Sequence, residues 1–203
     1  NYKMDLSQQK GTLRAYYASV SFVDALVGKI LGTLETTGQR DNTIVIFTSD
    51  HGYHLGEHDL WQKVSIHEES ARVPLIICVP GKKTAVCHSL SELIDLYPTV
   101  SQLCGLKIPG NVQGKDISIM FDDPTVKVRD AALSSGKGRL LRTEKWALLD
   151  YGKKGELYDM EKDPKQYENL FEKSEYAETL VMLKEKLKAK LNEMEKHDLY
   201  LNK

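Results

Sequence analysis

Leu13, Tyr16, Val20, Val23, Val27, Ile30 and Leu34 recur at alternating spacings of three and four, the period of an α-helix. Phe22, Leu26 and Leu31 widen that stripe, which predicts a helix buried on much of its surface. Gly28 and Gly32, one turn apart, would let it approach a sheet closely, and Gly38 is placed to stop it. The pattern then changes. Residues 43–49 are β-branched and apolar on both faces, as in a strand covered on two sides, and 73–79 repeat this before Pro80-Gly81. Leu93, Leu96, Val100 and Leu103 predict a further helix, kinked near Pro98. After Ile108-Pro109-Gly110 and Asp122-Asp123-Pro124 the segments shorten. Strands are expected over 131–134, 139–143, 146–150 and 156–160, with turns at Gly136-Lys137-Gly138 and 152–155. A closing helix capped by Ser174 would bury Leu180, Leu183, Leu187, Leu191 and Met194, its lysines forming a solvated face.

This order predicts an α/β fold: part of a mainly parallel sheet flanked by helices, then a small antiparallel sheet with a C-terminal helix. The expected division is 1–124 for the α/β portion and 125–203 for a small α+β subdomain.

Composition narrows the class only slightly. The 203 residues are 41% hydrophobic and 28% charged with a formal net charge of -1, which gives no electrostatic reason to expect nucleic acid. No apolar run reads as a membrane span, and the first residues, from Asn1, do not read as a signal peptide. Asn1 is not an initiator, so a piece of a longer polypeptide is expected. Cys78, Cys87 and Cys104 are either three buried thiols or one bridge and one thiol left over.

The chemistry concentrates where the first strand ends. Thr48-Ser49-Asp50-His51-Gly52 places a carboxylate and an imidazole beyond the carboxyl end of that strand, where open α/β sheets bind ligands. His54-Leu55-Gly56-Glu57-His58 matches the H-x-x-E-H pattern of zinc peptidases. That reading requires a helix, which Gly56 weakens, and it leaves Asp50, His51 and Lys63 without a role. Taken together, Asp50 offers a hard oxygen to Ca²⁺ or Mg²⁺, His51 a nitrogen beside it, and Lys63 an ammonium for an anion. A cation with a lysine suits a tetrahedral oxyanion, a sulfate or a phosphate ester.

Tyr16-Tyr17-Ala18-Ser19-Val20-Ser21-Phe22-Val23-Asp24, the run from Asn42 to His58, Trp61-Gln62-Lys63 and Glu68-Glu69-Ser70-Ala71-Arg72-Val73-Pro74-Leu75 together resemble the sulfatase family. Within the alkaline phosphatase superfamily these runs resemble the iduronate-2-sulfatase-like enzymes, and the choline-sulfatase-like proteins beside them. Glu156-Leu157-Tyr158-Asp159-Met160, Asp163-Pro164 and Glu168-Asn169-Leu170 resemble the family's C-terminal signature. The resemblance implies hydrolysis of sulfate esters, on sulfated sugars, around Ca²⁺ held by Asp50 and His51. Lys63 would contact the sulfate or its bridging oxygen, and His58 would lie on the substrate side; His54 and His67 are expected to be loop or packing residues, with Glu57 supporting the loop. The family's nucleophile is a formylglycine made within a C/S-x-P/A-x-R motif, and none of the 203 residues forms that motif.

The nucleophile and the remaining metal ligands are therefore expected from the N-terminal half of the same enzyme, and this chain alone is expected to be inactive. Phosphate or phosphonate ester hydrolysis is the alternative within the superfamily, and a non-catalytic remnant or accessory chain is the alternative outside it. Family members are mostly periplasmic, secreted or lysosomal.

Overall fold

The computed structural model describes residues 3–63 and 65–196, the side chains through 194, in two compact units. The first holds 3–63 and 72–82, the second 65–71 and 83–196. Asn1 and residues 197–203, the end of the expected C-terminal subdomain, lie outside the described residues.

In the first unit, helix α1 spans Leu6–Thr36. Asp5 caps it: its Oδ1 accepts from Gln8 N at 2.9 Å, while Gln8 Oε1 accepts from Asp5 N at 2.9 Å. Gly38, at φ 68°, follows the last turn in the left-handed region and ends the helix as expected. The expected burial does not form. No residue of α1 is buried; Leu13, Tyr16, Val27, Leu31 and Leu34 are half-covered, and Val20, Phe22, Val23, Leu26 and Ile30 are exposed. A Cβ at Gly28 or Gly32 would meet nothing within 4 Å, so neither glycine serves a close approach within this chain. Helix α1 is long and apolar enough, by length and composition, to cross a bilayer, contrary to the sequence expectation. Only Asp24 and Lys29 carry charge between Arg14 and Glu35.

Strand β1 (Val45–Thr48) is hydrogen-bonded to β4 (Leu75–Cys78), and the pair is antiparallel, Val45 opposite Cys78 and Thr48 opposite Leu75. The parallel arrangement predicted for these strands is absent from the described residues. A parallel pair needs a crossover of a dozen or more residues, usually a helix. The connection here instead carries a short hairpin, β2 (His54–Leu55) and β3 (Trp61–Gln62), and a single helical turn, α2 (Glu68–Ala71). Phe47 and Ile76 are exposed, and so are the free thiols of Cys78, Cys87 and Cys104, which correct the expectation of burial or a bridge.

In the second unit, β5 (Ala132–Ser135), β6 (Arg139–Arg142), β7 (Trp146–Asp150) and β8 (Gly155–Asp159) form an antiparallel meander within a residue or so of the predicted positions. Helix α4 (Ala177–Lys196) follows a short turn at Ser174–Tyr176. Both sheet faces are buried. Leu141, Leu148 and Leu157 pack with Leu170, Leu183 and Leu187 on the α4 side, whereas Leu140, Ala147, Leu149 and Tyr158 pack with Ile66 and Met160 on the other. Met194, expected in the helix's buried stripe, is 39% exposed.

Helix α3 (Leu96–Leu103) follows a 3₁₀ turn, Leu93–Asp95. Pro98 lies in its first turn, where no backbone N–H is required, so the expected kink is a helix start. Its buried positions are Pro98, Thr99 and Ser101, with Asp95 before them, rather than the leucine stripe.

The segment 65–71 is tied into the second unit by polar contacts. His67 Nε2 lies 2.9 Å from Glu156 Oε2, Glu68 N donates to Gln166 Oε1 at 2.8 Å, and Arg142 Nε donates to Glu68 Oε1 at 3.1 Å. The Tyr158 hydroxyl donates to the same Glu156 oxygen at 2.5 Å. Burial first, then the Glu156 carboxylate, pushes the Tyr158 and Tyr151 hydroxyls up, Tyr151 to about 12. The folded state therefore keeps these protons when the unfolded chain, with tyrosines near ~10, releases them. The associated stability is complete below that pH and is lost as pH rises from there through the folded values. Unfolding free energy measured from about pH 8 to about 11.5, a window that brackets the ordinary tyrosine value, is expected to fall more steeply for the unaltered protein than for Tyr158→Phe. Parallel curves would remove Tyr158 from the account.

Candidate active site

Asp50 and His51 follow β1 directly, and the strand end fixes their geometry. Asp50 Oδ1 accepts from the His51 backbone N at 3.0 Å, and Ser49 Oγ donates to the His51 carbonyl at 2.8 Å. His51 Nδ1 sits 2.8 Å from the Gly52 carbonyl oxygen, which can only accept, so Nδ1 carries a proton and, in the neutral ring, Nε2 presents its lone pair. That lone pair is 3.4 Å from Asp50 Oδ2. Two electron-rich atoms thus face one another on side chains that are 82% (Asp50) and 35% (His51) exposed. A cation, or a proton on Nε2, relieves that juxtaposition.

Tyr53 continues the loop and packs on α1, its ring centroid 5.3 Å from that of Tyr16. Just upstream, the Thr48 hydroxyl is buried with no hydrogen-bond partner among the described residues, a donor whose only sequence signal was a hydroxyl closing an apolar strand.

The β2–β3 hairpin carries the other candidates. His54 is fully buried, which removes it as an open ligand. His58 (φ 56°), Asp59 (φ 55°) and Gln62 (φ 71°) adopt left-handed backbone, uncommon without glycine, and Gly56 (φ 119°) turns the chain beneath Trp61. Glu57 Oε2 accepts from Leu55 N at 2.6 Å, the expected supporting role. His54 and His58 are edge to face at 6.0 Å on this hairpin, not on one helix face, which excludes the zinc-peptidase reading. Lys63 follows β3, exposed and without an ion pair among the described residues. His67, expected to be a packing histidine, is buried against Glu156.

The structure brings Asp50 and His51 together. Among the described residues no cluster of three or more His, Cys, Asp or Glu side chains could hold a metal. A carboxylate oxygen and an imidazole nitrogen 3.4 Å apart fit a divalent cation as a partial set, short of the about six to eight ligands of Ca²⁺.

The sulfatase family model matches residues 1–106, and the model for the C-terminal part of N-sulphoglucosamine sulphohydrolase matches 56–195. The chain is 32% identical over 183 residues to N-acetylglucosamine-6-O-sulfatase of Bacteroides thetaiotaomicron, covering 81% of this chain and 33% of that protein. It is 35% identical over 127 residues to iduronate 2-sulfatase of Mus musculus, covering 50% of this chain and 23% of that protein. A protein solved in complex with its substrate D-glucosamine-2-N,6-O-disulfate superposes with a TM-score of 0.78 at 31% identity, over 90% of this chain and 41% of that one. The chain therefore spans well under half the length of these relatives. The first family match takes in α1, both strands of the β1–β4 pair and the whole Asp50–Lys63 segment, and on that ground the chain belongs to the sulfatase family.

Proposed function

We propose that these residues serve the hydrolysis of sulfate esters on sugars, as part of a longer enzyme. The observation that carries this is the convergence of Asp50 Oδ2 and His51 Nε2 at 3.4 Å, inside the segment matched by the sulfatase model. In this reading Asp50 and His51 hold Ca²⁺, and the Nδ1–H bond to Gly52 keeps the imidazole in the tautomer a ligand needs. Bound there, the ion supplies Lewis-acid polarisation of a sulfate oxygen. Lys63 places its ammonium against the sulfate or its bridging oxygen, offsetting the charge that develops as the ester bond breaks. His58, fixed at the hairpin tip by a left-handed backbone, lies on the substrate side.

The formylglycine nucleophile and the other metal ligands come from the N-terminal half, so the 203 residues alone do not turn over. The same half covers the apolar face of α1 and supplies a mainly parallel sheet beside β1. Residues 1–106 match the sulfatase family model, α1 included, which favours a docking face over a membrane span for α1. The enzyme works in the periplasm, outside the cell or in the lysosome.

The test joins the chain to its N-terminal half and compares 4-nitrophenyl sulfate with 4-nitrophenyl phosphate. Faster sulfate hydrolysis, reduced about 10²–10³-fold by Lys63→Ala, is the expected result. Preferred turnover of the phosphate, or full activity in the lysine variant, would overturn the reading.

A further inference from the structure

Four of the lysines of α4, from Lys184 to Lys190, form two pairs that do different things. Lys186 and Lys190 lie one turn apart and both reach Asp130, at 2.5 and 3.7 Å. The Lys186 hydrogen bond, and then the charge of both lysines, hold that carboxyl below the usual carboxylate range. Lys184 and Lys188, also one turn apart, instead line a cavity of about 650 Å³ within the second unit. The wall opposite comes from the sheet, where Arg139 opens β6 and Asp150 closes β7.

Charge is unbalanced here. Among the described residues, Arg139, Lys184 and Lys188 form no ion pair. Lys184 is held over the ring of Phe171, 4.9 Å from its centroid, a contact that orients an ammonium without neutralising it. The one carboxylate in the lining, Asp150, stands across the strands from Arg139, and its Oδ1 already accepts from Gly152 N at 2.9 Å. Three cations thus face one engaged carboxylate. Asn192, Gln113 and Ser135 add neutral hydrogen-bonding groups to the same lining. Planar guanidinium, ammonium and amide groups around an open cavity are the donors that sulfate groups and sugar hydroxyls accept from.

We propose that this cavity binds a sulfated segment of a sugar chain, separately from the Asp50–His51 site. The choice of a sulfated sugar rests on the function proposed above; the anion-binding site itself does not.

Binding of low-mass dextran sulfate to the 203-residue chain is measured by calorimetry, with unsulfated dextran and inorganic sulfate as controls. Arg139→Ala/Lys188→Ala is expected to weaken binding at least tenfold. Lys186→Ala/Lys190→Ala, with the same change in net charge on the same unit, is expected to change it less than twofold. Arg139 and Lys188 are exposed, and Lys184→Gln provides a second, milder variant that should weaken binding in the same direction. Equal weakening by the two double variants would reveal diffuse attraction and overturn the proposal. So would failure of the unaltered chain to bind, or equal affinity for single-stranded DNA of matched charge. Turnover is not read in this experiment, so a failed sulfatase assay and a failed binding assay are distinguishable.

Discussion

Asp95→Ala is expected to destabilise the second unit by about 3–5 kcal/mol, the range for breaking a buried ion pair from one side. Asp95 is fully buried, yet all its oxygens are used. It accepts from the backbone N–H groups of Glu92 at 2.8 Å and Lys115 at 2.7 Å, and from Arg129 Nε at 2.8 Å and Nη2. Arg129, 7% exposed, also pairs through Nη1 with Glu92 Oε2 at 3.0 Å, and Glu92 Oε1 accepts from Leu133 N at 2.6 Å. One carboxylate thus joins the start of α3, the loop at Lys115 and the entry to β5. Alanine would strand a buried guanidinium on Glu92 alone and leave two backbone donors unpaired, which is why the cost exceeds that of one hydrogen bond. Glu92→Gln/Asp95→Asn/Arg129→Met removes all three charges of the network and should cost less than Asp95→Ala, because no charge is left buried. Urea unfolding with an unchanged slope would measure this. A loss below about 1 kcal/mol for Asp95→Ala would show that the network is solvated.

That polar hub was invisible to a reading built on apolar periodicity. The pattern around Leu93, Leu96, Val100 and Leu103 located a helix correctly but chose the wrong face, since Asp95, Thr99 and Ser101 are the buried members. The sheet was easier. Trp146-Ala147-Leu148-Leu149-Asp150 is apolar throughout its middle because both faces are covered, and glycine-bearing turns bracket the neighbouring strands. Strand direction was not legible: 43–49 and 73–79 look alike whether paired parallel or antiparallel, and the connection decides. For α1 the helical period was plain, but periodicity says which side wants cover and not whether this chain provides it. At the site, Asp50 and His51 could be found from their position after a strand. His58 came from the family resemblance, and Lys63 from sharing one segment with Asp50 and His51, since nothing local distinguishes one loop lysine or histidine from another. The left-handed backbone at His58, Asp59 and Gln62 has no residue-type signature, so the hairpin that replaces a helical H-x-x-E-H could not have been drawn beforehand.

In the enzyme completed by its N-terminal half, Asp50→Ala is expected to lower sulfate ester turnover by at least ~10³-fold, matching the several kcal/mol that a bound cation contributes to such a transition state. The exposure of Asp50 makes the experiment clean. Its side chain is 82% exposed and its recorded partners are its own neighbours, Ser49 and His51, so no packing is lost with it. The calcium-free melting temperature should therefore be the same for the variant and the unaltered enzyme. With calcium in excess the two should part: a ligand that binds only the folded state adds about 4 kcal/mol at a thousand times its dissociation constant, and the variant should lose most of that increment. His51→Ala should behave similarly, because Nε2 is the second donor at the same point. Calcium-dependent stabilisation that survives Asp50→Ala intact would place the ion elsewhere, whatever the variant's turnover. An enzyme that keeps its full activity without Asp50 would leave the family assignment standing but remove this carboxylate from the chemistry.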